Sequence, residues 1–376
     1  MSSSPVYLDY NSTTPCDPRV IEALLPYFNQ RFGNASSKSH VYGSLAEEAV
    51  AEARNEIASL IGSKSTEIIF TSGATESINL VLKGLESLNR KKGNHIITWA
   101  TEHRAVLDTV DFLSNKGFQV TLLPVLPSGQ IDFQLLKDAV RPETMLAAIM
   151  LANNETGIIQ PVSEITKLLR PQGIMTLCDA TQAIGKVPVN VSELNADFLA
   201  FSAHKFYGPK GIGGLYISSV VKGLQPLIHG GGHEKSIRSG TLNVPGIVGM
   251  GKAAAIAKAE MVTDFERMAS LKEIFENQLM ATGKVKVNGV GKCLPNTSNL
   301  QFISENSELI LGKIAMKVAA SSGSACSSVV QSPSHVLKAM GLSDKEAFSS
   351  IRFSLGKFTT KEEISLALET IKQHLN

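Results

Sequence analysis

Phe198-Leu199-Ala200-Phe201-Ser202-Ala203-His204-Lys205 decides how the chain is read. Four apolar residues in a row, with no polar alternation, make a strand buried on both faces. The run then stops in a serine, a histidine and a lysine. In an open parallel sheet, ligands bind beyond the carboxyl ends of the strands, so this strand end is a candidate site. The same form recurs outward in both directions. With 198–201, residues 68–70, 95–98, 120–123, 147–152, 175–178 and 214–218 give seven strand candidates. Helix candidates such as 75–88 and 162–169 lie between them. Alternation of this kind builds a mostly parallel sheet covered on both sides, so the fold class is α/β.

Past residue 218 the rhythm changes. Residues 246–280 read as one long helix rich in Ala, Glu and Lys. Short strands at 284–288, 297–302 and 351–355, with helices near 333–341 and 360–375, suggest a smaller α+β domain. The expected division is a large domain at 16–250 and a small one at 1–15 plus 251–376. Tyr7-Leu8-Asp9 is expected to pack near the latter.

Composition narrows the function. The 376 residues are 43% hydrophobic and 19% charged, which supports a sizeable core and excludes general disorder. Lys plus Arg number 36 against 34 for Asp plus Glu, so the net charge of +2 gives no pull toward nucleic acid or anionic membranes. No apolar run reaches the roughly 18–20 residues of a membrane span. Met1-Ser2-Ser3-Ser4-Pro5 lacks the basic-then-apolar form of a signal peptide. Cys16, Cys178, Cys293 and Cys326 are scattered without a CxxC pair, so neither a disulfide framework nor a zinc ribbon is expected. A reduced, cytoplasmic protein follows. Arg90-Lys91-Lys92 reads as a solvated helix end.

Chemistry collects after the strands. Thr71-Ser72-Gly73-Ala74-Thr75-Glu76 places a glycine and small residues directly before a helix, where free amides form an anion site. Helix capping by Ser72 or Thr75 would account for the same residues. Asp179 follows an apolar strand, so its carboxylate needs a cationic or protonated partner. Gln182 lies three residues on. Lys205, beside polar groups in a cleft, can act as an amine nucleophile. A phosphate nest, a carboxylate and a lysine at one sheet edge are the parts that hold pyridoxal 5'-phosphate. His103 could stack on its ring, or be an ordinary hydrogen-bonded residue. Cys326, in Ser322-Gly323-Ser324-Ala325-Cys326-Ser327-Ser328, is the candidate reactive thiol, because small polar flanks suit an exposed loop. Cys178, inside a strand, fits a buried inert thiol. His229-Gly230-Gly231-Gly232-His233-Glu234 has two histidines at helical metal spacing, but three glycines disfavour a helix. A turn bringing Arg238 and Thr241 toward an anion is the expectation there, and no metal site is expected.

Taken together, these motifs resemble the cysteine desulfurases of the pyridoxal-phosphate-dependent class V aminotransferase family, of fold type I. The resemblance runs from Tyr7-Leu8-Asp9-Tyr10-Asn11 to the last helix. It rests on Thr71-Ser72-Gly73-Ala74-Thr75-Glu76-Ser77, Thr101-Glu102-His103, Ala152-Asn153-Asn154-Glu155, Ser202-Ala203-His204-Lys205, Arg238-Ser239-Gly240-Thr241 and Ser322-Gly323-Ser324-Ala325-Cys326. The last motif resembles the long-loop type, which transfers sulfur through a mobile cysteine. By this resemblance Lys205 is the Schiff-base lysine, Cys326 the persulfide-forming nucleophile and His103 the histidine over the ring. Asp179 partners the pyridine nitrogen and Gln182 lies near the ring hydroxyl. Gly73, Ala74, Thr75, Ser202 and His204 belong to the phosphate site, and Thr241 would serve it from the neighbouring subunit of a homodimer. Asn154 and Arg352 would hold the substrate carboxylate, with Asn154 also near the cofactor.

The resemblance implies conversion of L-cysteine to L-alanine, with a persulfide on Cys326 passed to an acceptor protein. Such acceptors serve iron–sulfur clusters, tRNA thiolation or DNA phosphorothioation, and Gly33-Asn34-Ala35 with the compact length resembles the desulfurases of the last. A selenocysteine lyase and a non-catalytic sulfur-transfer adaptor are the rival readings. Three positions depart from the family pattern: Ser12 and Thr181, where alanine is usual, and Ala35, where proline is. The chain also stops at Asn376, about where the last helix is expected to end, without the tail by which housekeeping bacterial members engage an iron–sulfur scaffold.

Overall fold

The structure is a computed structural model that describes residues 4–88, 93–303, 306–322 and 332–375. Its strands, in chain order, are β1 Val6–Tyr7, β2 Ile68–Thr71, β3 His95–Trp99, β4 Gln119–Leu123, β5 Thr144–Met150, β6 Met175–Asp179, β7 Phe198–Ser202, β8 Gly213–Ile217, β9 Val285–Val287, β10 Thr297–Phe302, β11 Val318–Ala319 and β12 Ser350–Ser354. Strands β2 to β8 form one seven-stranded sheet in the order β2-β8-β7-β6-β5-β3-β4. The seven apolar runs of the sequence are these seven strands. Every residue of β2, β3, β5, β7 and β8 is buried, as unbroken apolar runs require. Strands β3 to β7 pair in parallel. Strand β8 runs antiparallel to both β7 and β2, because the link from Ser202 to Gly213 is too short for a crossover.

Register brings the polar strand ends level. Gly213 pairs with both Thr71 and Ser202, and Asp179 pairs with both Met150 and Ala200. Gly213 permits the closest approach: a Cβ there would lie 2.5 Å from the Gly73 Cα. The loops after β2, β6 and β7 therefore share one edge.

The helix Val244–Met280 belongs to two cores. Ile247, Met250, Ala253 and Ala254 enter the core of the large sheet. Leu271, Phe275 and Leu279 enter a second core with Phe302, Phe353 and Ile371. That second core lies on the antiparallel sheet β12-β10-β9 and the helix Lys361–Lys372. The N-terminal segment joins it: β1 pairs in parallel with β11, and Asp9 bridges to Ser354 of β12. From there the chain crosses to the large sheet, where the Thr14 N–H donates to the His204 carbonyl at 3.0 Å. One short segment thus runs from the small sheet to the lysine loop. Among the described residues no helix is long and apolar enough to cross a membrane. Arg90-Lys91-Lys92 lies outside the described residues.

Candidate active site

The cradle after β2 begins the site. Helix Ala74–Leu88 starts directly beyond Gly73, and the first N–H groups of any helix have no intrahelical partner. The Ala74 N–H donates to Ser202 Oγ at 2.7 Å, which ties the cradle to the end of β7. A Cβ on Gly73 would press to 3.3 Å from that same oxygen. Thr75 is exposed at the mouth. The open cleft has a volume of about 420 Å³, and its lining includes Ser12, Thr13, Gly73, Thr75, Ser202 and His204. Arg238 is held by a carboxylate of the chain itself. Its Nε donates to Glu76 Oε1 at 2.8 Å, and the Ser72 N–H donates to Glu76 Oε2 at 2.7 Å. Partial burial works to raise Glu76, but Arg238 and Ser72 outweigh it and hold the carboxyl below its ordinary range. The expected turn is present, since Gly230, Gly231 and Gly232 all have positive φ. Its glutamate, Glu234, pairs with Arg54 at 2.6 Å. Thr241 is exposed and lies outside the cleft lining.

A turn at Asn11 and Ser12 organises the other half. Lys205 Nζ donates to the Asn11 carbonyl at 2.6 Å and to the Ser12 carbonyl at 2.7 Å. Gln182 Nε2 donates to the same Asn11 carbonyl at 2.9 Å. Gln182 is oriented in turn by Lys186, whose Nζ donates to Gln182 Oε1 at 2.8 Å and Asn11 Oδ1 at 3.3 Å. Burial, with Lys205 and Arg352 nearby, drives Lys186 well below the usual lysine range. His204 Nδ1 is hydrogen-bonded to Thr13 Oγ1 at 3.1 Å. Burial and then the lysines 205, 210 and 186 lower its pKa to about 4, so its imidazole is neutral at pH 7.

Arg352 reaches the turn from β12. Its Nη2 donates to Ser12 Oγ and to Asp9 Oδ1, each at 2.7 Å, and its Nη1 to the Asn154 carbonyl at 3.0 Å. Asn154 thus joins the arginine through its backbone, and Asn11 Nδ2 donates to that carbonyl too, at 3.2 Å.

Asp179 ends β6 and is buried; its Oδ1 accepts from the Thr181 N–H at 2.9 Å. His103 is exposed, and its Nδ1 accepts from the Ala105 N–H at 3.1 Å, capping helix Arg104–Ser114. That bond leaves the neutral ring's proton on Nε2. Cys326 lies outside the described residues. Helix His335–Ala339, which follows it in sequence, is docked against two buried acids. Ser334 Oγ donates to Glu155 Oε2 at 2.5 Å, and His335 Nε2 meets the Glu102 carbonyl at 3.0 Å. Burial pushes the Glu155 pKa up to about 7, against the pull of Ser334 and Arg352. It pushes Glu102 well above the carboxylate range.

Sequence reasoning gave no role to Asp9, Asn11, Ser12 or Lys186. The polar run Asn11-Ser12-Thr13-Thr14, set between Tyr10 and Pro15, was the available signal for the turn. A lysine in a run such as Ala183-Ile184-Gly185-Lys186-Val187 carries no local sign that its amine is buried.

The residues present suit a phosphorylated pyridine. Gly73 leaves a cradle that a Cβ would narrow, with amide and hydroxyl donors around it. At the far end stands buried Asp179, and the Thr181 Oγ1 two residues on is buried without a partner among the described residues. An anion-binding end, an amine and a carboxylate along one edge define a pyridoxal-phosphate enzyme. The chain belongs to the class V aminotransferase family, whose pattern it matches over residues 6–366, and its cofactor is pyridoxal 5'-phosphate. Within that family it falls among the cysteine desulfurases. It is 48% identical, over 368 residues, to the cysteine desulfurase IscS of Anaeromyxobacter dehalogenans, covering 97% of this chain and 91% of that one. A solved NifS-like protein superposes with a TM-score of 0.93 at 38% identity, covering 99% of each chain. SspA, solved in complex with cysteine, gives a TM-score of 0.83 at 36% identity, covering 95% of this chain and all of that one.

Proposed function

We propose that the chain converts L-cysteine to L-alanine and takes up the sulfur as a persulfide on Cys326, for delivery to an acceptor protein. The observation that carries this reading is the convergence of Lys205, Gln182 and Arg352 on Asn11 and Ser12, beside the Gly73 cradle. Desulfuration needs an amine, a group to set the cofactor ring and a guanidinium to grip a carboxylate, all within one amino acid's reach. The likeness to SspA with bound cysteine supports the same substrate.

Bound pyridoxal 5'-phosphate supplies an electron sink beside the substrate α-carbon. Gly73, Ala74, Thr75, Ser202 and His204 would hold its phosphate, with the neutral His204 as a hydrogen-bond partner rather than a counter-charge. Asp179 would keep the ring nitrogen protonated, Gln182 would meet the ring hydroxyl, and His103 would cover the ring face. Lys205 Nζ is the amine that joins the cofactor. When it is free of the cofactor, the same amine would be the base for the substrate α-proton. Arg352 orients the substrate through its carboxylate, with Asn154 beside it. The Cys326 thiolate then attacks the substrate sulfur. The S–S bond forms as the C–S bond breaks, and the carbon fragment keeps the electron pair, gains protons and leaves as alanine. His103 Nε2 would move protons around the thiol.

A homodimer fits the same reading. Leu25, Phe28, Phe32, Val41 and Tyr42 are exposed apolar side chains near the N-terminal helices, a surface suited to a second copy. Thr241, exposed and away from its own cleft, would serve the partner's phosphate site. The test is mass spectrometry of the cofactor-loaded protein after L-cysteine and without reductant. The Cys326 peptide should gain one sulfur atom, and Cys326→Ala should abolish transfer to an added acceptor. Full transfer by Cys326→Ala would overturn the nucleophile assignment.

A further inference from the structure

We infer that Ser12 is a substrate-contacting residue whose hydroxyl donates to the amino-acid carboxylate alongside Arg352. This rests on the reading of Arg352 as the carboxylate-binding group. The guanidinium is buried, and both hydrogens of its Nη2 are taken, one by Asp9 Oδ1 and one by Ser12 Oγ. A guanidinium has only donors, so Ser12 Oγ acts toward Arg352 purely as an acceptor. Its own O–H hydrogen has no acceptor among the described residues. Ser12 is exposed and lines the 420 Å³ cleft, whereas Arg352 behind it is 5% exposed. Of the residues around the guanidinium, Ser12 is therefore the one that lines the cleft, while Asp9 and Asn154 do not. Held by a cation on its acceptor side, the hydroxyl is polarised to donate outward to an anion.

The backbone of the same residue fixes what that anion is. The Ser12 carbonyl accepts from Lys205 Nζ at 2.7 Å. One residue thus binds the reacting amine through its main chain and the guanidinium through its side chain. A ligand that meets both places a carboxylate beside the carbon that reacts at Lys205, which is the form of an α-amino acid. Alanine at this position would leave Nη2 with Asp9 alone and give the cleft a methyl group.

The test compares Ser12→Ala, Ser12→Thr and Arg352→Ala in the cofactor-loaded protein. L-Alanine and ethylamine, which lacks the carboxylate, are titrated and their binding read from cofactor absorbance, with KM and kcat for L-cysteine alongside. Ser12→Ala should weaken L-alanine binding and raise KM about two- to tenfold, the scale of one hydrogen bond, with kcat within about twofold. Ser12→Thr should restore both, and ethylamine should bind wild type and Ser12→Ala alike. Equal loss for both amines, or no loss for either, overturns the inference. Arg352→Ala separates the two readings. If it spares the preference for L-alanine over ethylamine, the assignment of Arg352 itself fails. If it abolishes that preference and Ser12→Ala does not reduce it, only the role of Ser12 fails.

Discussion

Replacing Glu155 by glutamine should stabilise the protein at pH 8 far more than at pH 5. Glu155 is 2% exposed, and burial raises its pKa from 4.5 to about 7. Below pH 4.5 both the folded and unfolded carboxyls hold a proton, and no cost arises. Between 4.5 and about 7 the unfolded chain releases the proton while the fold keeps it, so stability falls as pH rises. Above about 7 the full cost applies, and the difference between the two pKa values sets it at roughly 3 kcal/mol. Glutamine cannot ionise, yet it keeps an acceptor for the Ser334 hydroxyl. The variant should therefore gain about 2 kcal/mol on the wild type between pH 5 and pH 8. Urea unfolding followed by the fluorescence of Trp99, the single tryptophan and 1% exposed, gives the readout. An equal gap between variant and wild type at the two pH values would refute the reasoning, because it would mean that Glu155 ionises in the fold without cost.

Asp179→Asn keeps an acceptor for the Thr181 N–H but removes the charge, so pyridoxal 5'-phosphate should bind about tenfold more weakly in an absorbance titration; unchanged affinity would remove Asp179 as the ring-nitrogen partner. In the cofactor-free protein, the His204 ring should titrate near pH 4 by NMR of labelled histidines, and a midpoint at the ordinary 6.5 would show that its surroundings do not disfavour the charged ring. The same depressed pKa means that stability from His204 is present above 6.5 and is lost as pH falls toward about 4, a loss that His204→Asn should flatten in acid unfolding.

What was legible in the sequence followed burial. Strands β2, β3, β5, β7 and β8 stand out as apolar runs because all of their residues are buried, as at Leu146, Ala147 and Ala148. Strand ends were legible because polarity returns abruptly there, at Ser202 and Asp179. Helix Val41–Ile61 was not, since much of its buried face is Gly43, Ala46, Ala49 and Ala53. Residues that small carry little hydrophobic contrast against Glu47, Glu48 and Glu52. The turn at Asn11 and Ser12 was hidden for another reason. It is placed by β1 pairing with β11, more than 300 residues away, and by Ser354 accepting the Asn11 N–H at 2.9 Å. No local pattern encodes such a contact. Lys205, Gln182 and Arg352 could each be singled out, but their common anchor could not. The partner of Arg238 was not legible, because Glu76 is 162 positions away in sequence.

The most direct measurement is alanine formed from L-cysteine by the protein loaded with pyridoxal 5'-phosphate, with a thiol reductant present. Alanine and sulfide should appear in equal amounts, and both should vanish in Lys205→Ala. No alanine from wild-type protein that demonstrably holds its cofactor would contradict the account.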